Sequence, residues 1–202
     1  MGHVAFIIDI DTSVANNDHR ANKLEYHCED CSHVQNIASN KDITSCSVCG
    51  GSYKLCQASW DAFLHPEALL LDHPEPKAQM ALRTMRDRDV EFHFLTGRNE
   101  GLREVTEQWL TEHVDWDSAR EQLIMRSHAH RGMPASVYKE NAFTGFLANN
   151  TKYLDYSFFF MEDDTHVFKM FSKYGIVIQC PAGWDCWIPE HAAAGDESAF
   201  RR

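Results

Sequence analysis

The run V-A-F-I-I-D-I-D-T-S at residues 4–13 limits what this chain can fold into more than any other stretch. Its first five residues are apolar without interruption. This suits a strand covered on both faces, in the middle of a parallel sheet, better than one with a wet face. In open α/β sheets, reactive groups gather beyond the carboxyl ends of the central strands, which is where Asp9 and Asp11 fall. Two carboxylates this close repel each other unless they share a proton or a cation. Magnesium, which takes hard oxygen ligands together with substrate phosphate, is the expected cation.

The remainder alternates strands with helices. Residues 90–95 read as a strand running into T-G-R at Thr96, Gly97 and Arg98, and a helix follows with Leu102, Val105, Trp109 and Leu110 on one face. Pro76 suits a helix first turn ahead of the stripe Ala78, Ala81, Leu82 and Met85. A short strand is expected at 122–125, a helix carrying Lys139 at 137–147, and a strand at 157–161 that ends in Glu162, Asp163 and Asp164. A helix stopping at Gly175 and a last strand at 176–179 complete the pattern of parallel crossover units.

Between residues 16 and 59 this pattern lapses. His, Cys, Asn and Ser replace the apolar periodicity, and two C-x-x-C pairs occur, Cys28 with Cys31 and Cys46 with Cys49. Each pair can turn two thiolates toward one ion, and four thiolates complete a tetrahedral zinc shell with no position left for catalysis. The expectation is a structural zinc ion in a zinc-ribbon-like insertion, with Cys56, Cys180 and Cys186 as reduced thiols and His19, His27 and His33 as solvated loop residues. The expected boundaries are a core of residues 1–18 and 60–190, an insertion of 19–59, and a loose polar tail of 191–202.

In order, these motifs resemble the haloacid dehalogenase-like superfamily of phosphohydrolases, over all of the chain except the insertion and tail. The resemblance implies a Rossmann-like core with a parallel sheet, on which the insertion would be a cap. It also implies that Asp9 is a nucleophile forming an aspartyl-phosphate and Asp11 a general acid and base. Thr96 and Lys139 would hold the phosphoryl group, and Asp9, Asp163, Glu162 and the Asp11 carbonyl would hold magnesium. The family's D-x-D-G-T is altered here to D-I-D-T-S, placing β-branched Thr12 where the turn favours glycine.

A narrower resemblance is to the phosphatase domain of bacteriophage-type polynucleotide kinase-phosphatase. It is carried by Arg20, the S-W-D-A-F at 59–63, T-G-R-N-E, L-I-M-R ending at Arg126, and E-D-D-T-H-V-F-K-M-F. It implies that Arg20 and Arg98, with Arg126 at the rim, bind the substrate phosphate and the active-site acids alongside Gly97. The segment P-A-S-V-Y-K before Lys139 and the ending at Asp164 depart from that family's pattern.

The formal charge of -11 disfavours extended binding to a nucleic-acid backbone but leaves a short nucleic-acid end possible. No apolar run reaches the roughly 20 residues of a membrane span, and the N-terminal run is too short for a secretory signal, so a cytoplasmic location is expected. The sequence therefore points to a magnesium-dependent phosphomonoesterase acting on a 3′-phosphate of a nucleic-acid end or nucleotide. Two alternatives stand beside it: a nucleotide or small-molecule phosphatase, and a catalytically weakened scaffold that carries a zinc-ribbon binding module.

Overall fold

The computed structural model describes residues 3–36, 45–181 and 184. In chain order its strands are β1 (Val4–Ile8), β2 (Ala15–Asn16), β3 (Glu25–Cys28), β4 (Val34–Asn36), β5 (Tyr53–Leu55), β6 (His73–Pro74), β7 (Glu91–Asn99), β8 (Leu123–Arg126), β9 (Ser157–Glu162) and β10 (Gly175–Gln179). Its α-helices are α1 (Asp18–Ala21), α2 (Gln57–Phe63), α3 (Pro66–Leu70), α4 (Pro76–Asp87), α5 (Arg103–Val114), α6 (Ala135–Asn149) and α7 (Thr165–Phe171).

The chain divides into two compact units, one of residues 1–15 and 74–202 and the other of residues 16–73. The expected break at residue 59 falls earlier than the observed one. The reason is that α2 and α3 belong to the second unit, where Phe63 and Trp60 pack with Ala21 and Leu24. The expected tail of 191–202, and Cys186, lie outside the described residues.

The first unit is a mixed α/β structure built on a five-stranded parallel sheet of order β10-β9-β1-β7-β8. β1 lies at its centre, as the continuous apolar run requires. The chain moves outward from β1 to β7 and β8, then returns to the other side of β1 for β9 and β10. The strand order therefore reverses at β1, and a crevice opens beyond the carboxyl ends of strands at such a reversal. Ala5 and Ile7 join Leu95, Phe158 and Phe160 in a cluster with Tyr138, Phe143 and Phe146 of α6 and Val167, Met170 and Phe171 of α7. Phe6 and Ile8 alternate to the other face, in register with Phe92 and Phe94, and there Arg86 of α4 lies over the Phe92 ring at 5.0 Å. Among the described residues no helix is long and apolar enough to cross a membrane.

A histidine packs against the core cluster, its ring centroid 5.1 Å from that of Phe146 and 5.3 Å from that of Tyr153. His93 is buried, its Nδ1 accepts the Gln122 backbone N–H at 3.1 Å, and its Nε2 lies 2.6 Å from the Tyr153 hydroxyl. A backbone N–H can only donate, so Nδ1 must be bare and Nε2 must carry the proton toward Tyr153. Burial pushes the imidazole down from 6.5 to about 4. The folded state therefore resists a proton that the unfolded chain accepts. Stability is complete above pH 6.5 and falls as pH drops toward 4, by about 3 kcal/mol for this one group. Denaturant unfolding at stepped pH should show His93→Gln losing about that much less than wild type over this interval. Parallel losses in the two proteins would refute the pinned neutral imidazole.

Candidate functional site

β1 delivers Asp9 to the strand-order reversal, with its backbone N–H bonded to the Met161 carbonyl of β9 at 3.0 Å. β9 ends at the same level and supplies Glu162, followed by Asp163. From α6, which packs on the face to which Ile7 points, Lys139 reaches both strands. Its Nζ lies 2.8 Å from Asp9 Oδ1 and 2.7 Å from Glu162 Oε2. All three of these side chains are buried. Carboxylate oxygens of Asp9, Glu162 and Asp163 lie within 4.8 Å of one another, a grouping that can hold a metal ion.

The electrostatics follow from this crowding. Burial raises the Asp9 carboxyl to about 7 against the pull of Lys139, and Glu162 and Asp11 add to the rise. Burial and then Asp9 raise Asp163 to about 7 as well. Burial also raises Glu162, with Lys139 opposing. For Lys139 burial works against the charged form, but Asp9 and Glu162 more than offset it and its pKa is raised. Three carboxylates thus face one ammonium. Two negative charges are left over, which protons or a divalent cation can neutralise.

Glu162 is the most committed of the three acids. Besides Lys139 on Oε2, its Oε1 accepts the Asp164 N–H at 3.2 Å. Asp164 caps α7, its Oδ1 accepting the backbone N–H groups of His166 and Val167 at 2.7 and 3.2 Å. The departure of this sequence at Asp164 therefore has a local helix-capping role.

β7 brings the T-G-R stretch to the same edge. Its register with β8 shifts between Leu95 and Asn99, so Thr96, Gly97 and Arg98 occupy an irregular part of the strand. Thr96 is fully buried, and its Oγ1 accepts the Arg98 N–H at 3.2 Å. A side chain added at Gly97 would meet nothing within 4 Å. Arg98 grips Asp11 with two parallel bonds, Nε to Oδ2 at 3.0 Å and Nη2 to Oδ1 at 2.9 Å. This planar fork fixes both the position and the orientation of that carboxylate. Thr12, next in sequence, has φ +64, the left-handed conformation that its glycine-like position demands. The turn closes through Thr12 N–H to the Ala15 carbonyl at 2.8 Å and through Val14 and Ala15 N–H to the Ile10 carbonyl at 2.9 and 2.8 Å.

Arg126, at the end of β8, donates from Nη1 to the Met133 carbonyl at 2.7 Å and lies over the Tyr138 ring at 4.6 Å. Its Nε and the Tyr138 hydroxyl have no hydrogen-bond partner among the described residues. Tyr138 escaped the sequence reading because its place beside Lys139 reads as part of an apolar helix face.

The second unit contains the two C-x-x-C pairs, Cys56 and Arg20. A three-stranded antiparallel sheet of order β4-β3-β5 supports the two C-x-x-C turns. The Sγ atoms of Cys28 and Cys49 are 3.4 Å apart, those of Cys31 and Cys46 are 3.7 Å apart, and all four lie within 4.8 Å of one another. A sulfur tetrahedron at the usual zinc–sulfur distance has edges of about 3.8 Å, so the four donors are spaced for one such ion. Gly50 has φ +77, and a side chain at Gly51 would strike the Asp30 carboxylate, so the turn after Cys49 uses both glycines.

Arg20 is held within this unit. It is 3% exposed and Asp72 is 2% exposed. Its Nε donates to Asp72 Oδ1 at 2.7 Å, its Nη2 to Asp72 Oδ2 at 2.8 Å and its Nη1 to the Phe63 carbonyl at 3.1 Å, with the guanidinium over the Phe63 ring. The arginine expected at a substrate phosphate is therefore engaged by a buried carboxylate 52 positions away.

No family model matches the sequence, and no curated protein matches it. Among solved structures, a chain of the "Structure of Pnkp1/Rnl/Hen1 complex" superposes with a TM-score of 0.53 at 17% identity, over 87% of this chain and 45% of that one. A chain of the "Structure of the Pnkp1/Rnl/Hen1 RNA repair complex" gives 0.49 at 14% identity, over 88% and 42%. The likeness is one of fold, and this chain spans less than half the length of the chains it matches.

Removing one partner of a buried ion pair strands the other's charge, at a cost of roughly 3–5 kcal/mol. Arg20→Met and Asp72→Asn should each destabilise the second unit on that scale, read as loss of amide protection in residues 16–36 by hydrogen exchange. A loss below about 1 kcal/mol in both would mean the pair behaves as a solvent-screened surface bridge.

Proposed function

We propose that this chain is a magnesium-dependent phosphomonoesterase of the haloacid dehalogenase-like superfamily that removes a 3′-phosphate from a nucleic-acid end or nucleotide. The observation that carries the reading is the convergence of Asp9, Lys139, Glu162 and Asp163 at the strand-order reversal, with Asp11 clamped by Arg98 next to them.

The chemistry divides into two displacements. An Asp9 carboxylate oxygen attacks phosphorus to form an aspartyl-phosphate, while Asp11 protonates the departing oxygen. Asp11 then takes a proton from water, which attacks phosphorus and returns Asp9 as carboxylate. Lys139 and the Thr96 hydroxyl offer fixed donors to the phosphoryl oxygens, whose charge is the main load in phosphoryl transfer. The open space at Gly97 lets a phosphate approach the backbone there. Arg126, whose Nε has no hydrogen-bond partner among the described residues, suits the rim of the phosphate site.

The acid cluster fits a magnesium ion, which would be held by Asp9, Asp163 and the Asp11 carbonyl. Glu162 supports from behind, since Lys139 and the Asp164 N–H already occupy its oxygens. When bound, the ion supplies charge neutralisation for the phosphoryl group and for the two surplus carboxylates.

The nucleic-acid end is a separate part of the reading. It rests on the resemblance carried by T-G-R-N-E, L-I-M-R and E-D-D, since the shared fold with a Pnkp1/Rnl/Hen1 complex chain concerns architecture alone. The charge of -11 favours the smaller substrates among the alternatives.

Phosphate release should therefore be measured on a 3′-phosphorylated oligonucleotide beside a 3′-mononucleotide and small phosphate esters. Release from the oligonucleotide should require magnesium and fall by roughly three orders of magnitude or more in Asp9→Asn. Preference for the mononucleotide or small esters would move the substrate class while keeping the mechanism. No release from any ester would leave the weakened-scaffold alternative.

In the second unit, the four cysteines hold a structural zinc ion. Metal chelation should then abolish amide protection in β3 and β5 while β1 and β9 keep theirs, because a small metal-stapled sheet folds only with its ion. Protection in β3 and β5 that survives complete demetallation would refute this.

A further inference from the structure

The second unit brings together another set of metal-ligating side chains, apart from the four cysteines. Along β3 the side chains alternate, so Glu25 and His27 share one face while Cys28 turns to the other, toward its cysteine cluster. The ends of Glu25 and His27 converge, with His27 Nε2 3.7 Å from Glu25 Oε2. Cys56 arrives beside them from the end of β5. One ligand atom each of Glu25, His27 and Cys56 lies within 4.8 Å of the other two.

The backbone around this trio is tightly braced. The Cys56 N–H donates to the Glu25 carbonyl at 2.8 Å. The Ser59 hydroxyl accepts the Glu25 N–H at 3.1 Å and donates to the Cys56 carbonyl at 2.9 Å. Cys56 sits at the N-cap of α2 but makes no side-chain cap bond, so its thiol is not spent on the helix. The three side chains are half-buried or exposed and are therefore reachable from solvent.

A surface Glu–His pair alone has little energetic consequence and needs no special account. The thiol changes the chemistry. A carboxylate, an imidazole and a thiolate form a mixed donor set with two negative charges. That set suits zinc or a similar borderline divalent ion and is wrong for magnesium, which prefers oxygen throughout. Four sulfurs close a shell, whereas three protein donors leave a position for water or an exogenous ligand.

We infer that Glu25, His27 and Cys56 form a second transition-metal site, separate from the cysteine cluster, with a coordination position open to solvent. Nothing in the phosphatase reading requires it, and it stands or falls independently of that reading.

The test uses the full chain and zinc itself, in excess magnesium to occupy the acid cluster. Iodoacetamide alkylation is followed at each cysteine by peptide mass spectrometry as zinc is added. Zinc beyond the amount that protects Cys28, Cys31, Cys46 and Cys49 should slow Cys56 alkylation by roughly an order of magnitude or more, because a metal-bound thiolate is a poor nucleophile. In Glu25→Gln and in His27→Ala that protection should be lost while the four cluster cysteines remain protected, which also reports that the unit is folded. Cys56 alkylation that ignores zinc in wild type, or protection that persists unchanged in both variants, would overturn the site.

Discussion

The ammonium of Lys139, buried between Asp9 and Glu162, is the interaction on which the sheet's reactive edge depends. Without a cation at that point, β1 and β9 would end side by side in facing carboxylates taken out of water, an arrangement that acids can sustain only by protonating. The lysine comes from α6, whose Phe143 and Phe146 are embedded in the aromatic cluster on that face of the sheet. Core packing thus sets the position of the charge, and a shift in the register of α6 would reach the site directly. The lysine neutralises part of the cluster and leaves the rest to be balanced by protons or by a further cation.

The second unit meets a different problem. Its sheet has three strands of three or four residues and packs on only a small cluster around Ala21, Leu24 and Phe63, which polar cross-links supplement. The Arg20–Asp72 pair ties the start of the unit to its end, and the four cysteine sulfurs bring the hairpin of β3 and β4 against the turn before β5, where one ion could join them. Both devices join residues distant in sequence, so each closes a long loop when the unit folds, at a cost that grows only slowly with loop length. A scaffold stapled in this way can carry exposed metal-ligating side chains on β3 without relying on them for its fold.

The strands of the sheet were legible because continuous apolar runs bounded by acids or glycine leave few other readings. β1 was delimited residue for residue. β7 ran on past the expected 95 to Asn99, because its irregular register with β8 carries T-G-R within the strand rather than after it. The four cysteines were legible from spacing alone. Arg20 was not. A guanidinium fork suits a carboxylate and a phosphate equally, and only the fold could bring Asp72 to it. Arg98 holds Asp11, one of the acids that the resemblance set beside it. Glu25, His27 and Cys56 were hidden for another reason. An acid and an imidazole two residues apart become neighbours only if the segment is a strand, and a polar insertion gave no sign that it was one.

Thr12 shows how a local rule can yield to its surroundings. The left-handed conformation costs a residue with a side chain about 1–2 kcal/mol, and branching at Cβ makes Thr a poor occupant. The turn keeps it because neighbouring contacts determine the conformation from both sides. Three backbone bonds close residues 10–15, and the Ser13 carbonyl accepts the Trp184 indole N–H at 2.8 Å from the far end of the chain. Ser13, Val14 and Ala15 are all fully buried, so the chain has no room to relax the turn by swinging outward. The strain is thus held next to Asp11, whose carboxylate is fixed from the other side by Arg98. A residue clamped by a strained turn on one flank and a bidentate arginine on the other has little freedom left. That restraint is what the proposed proton transfer at Asp11 would require, a carboxylate held at a defined point.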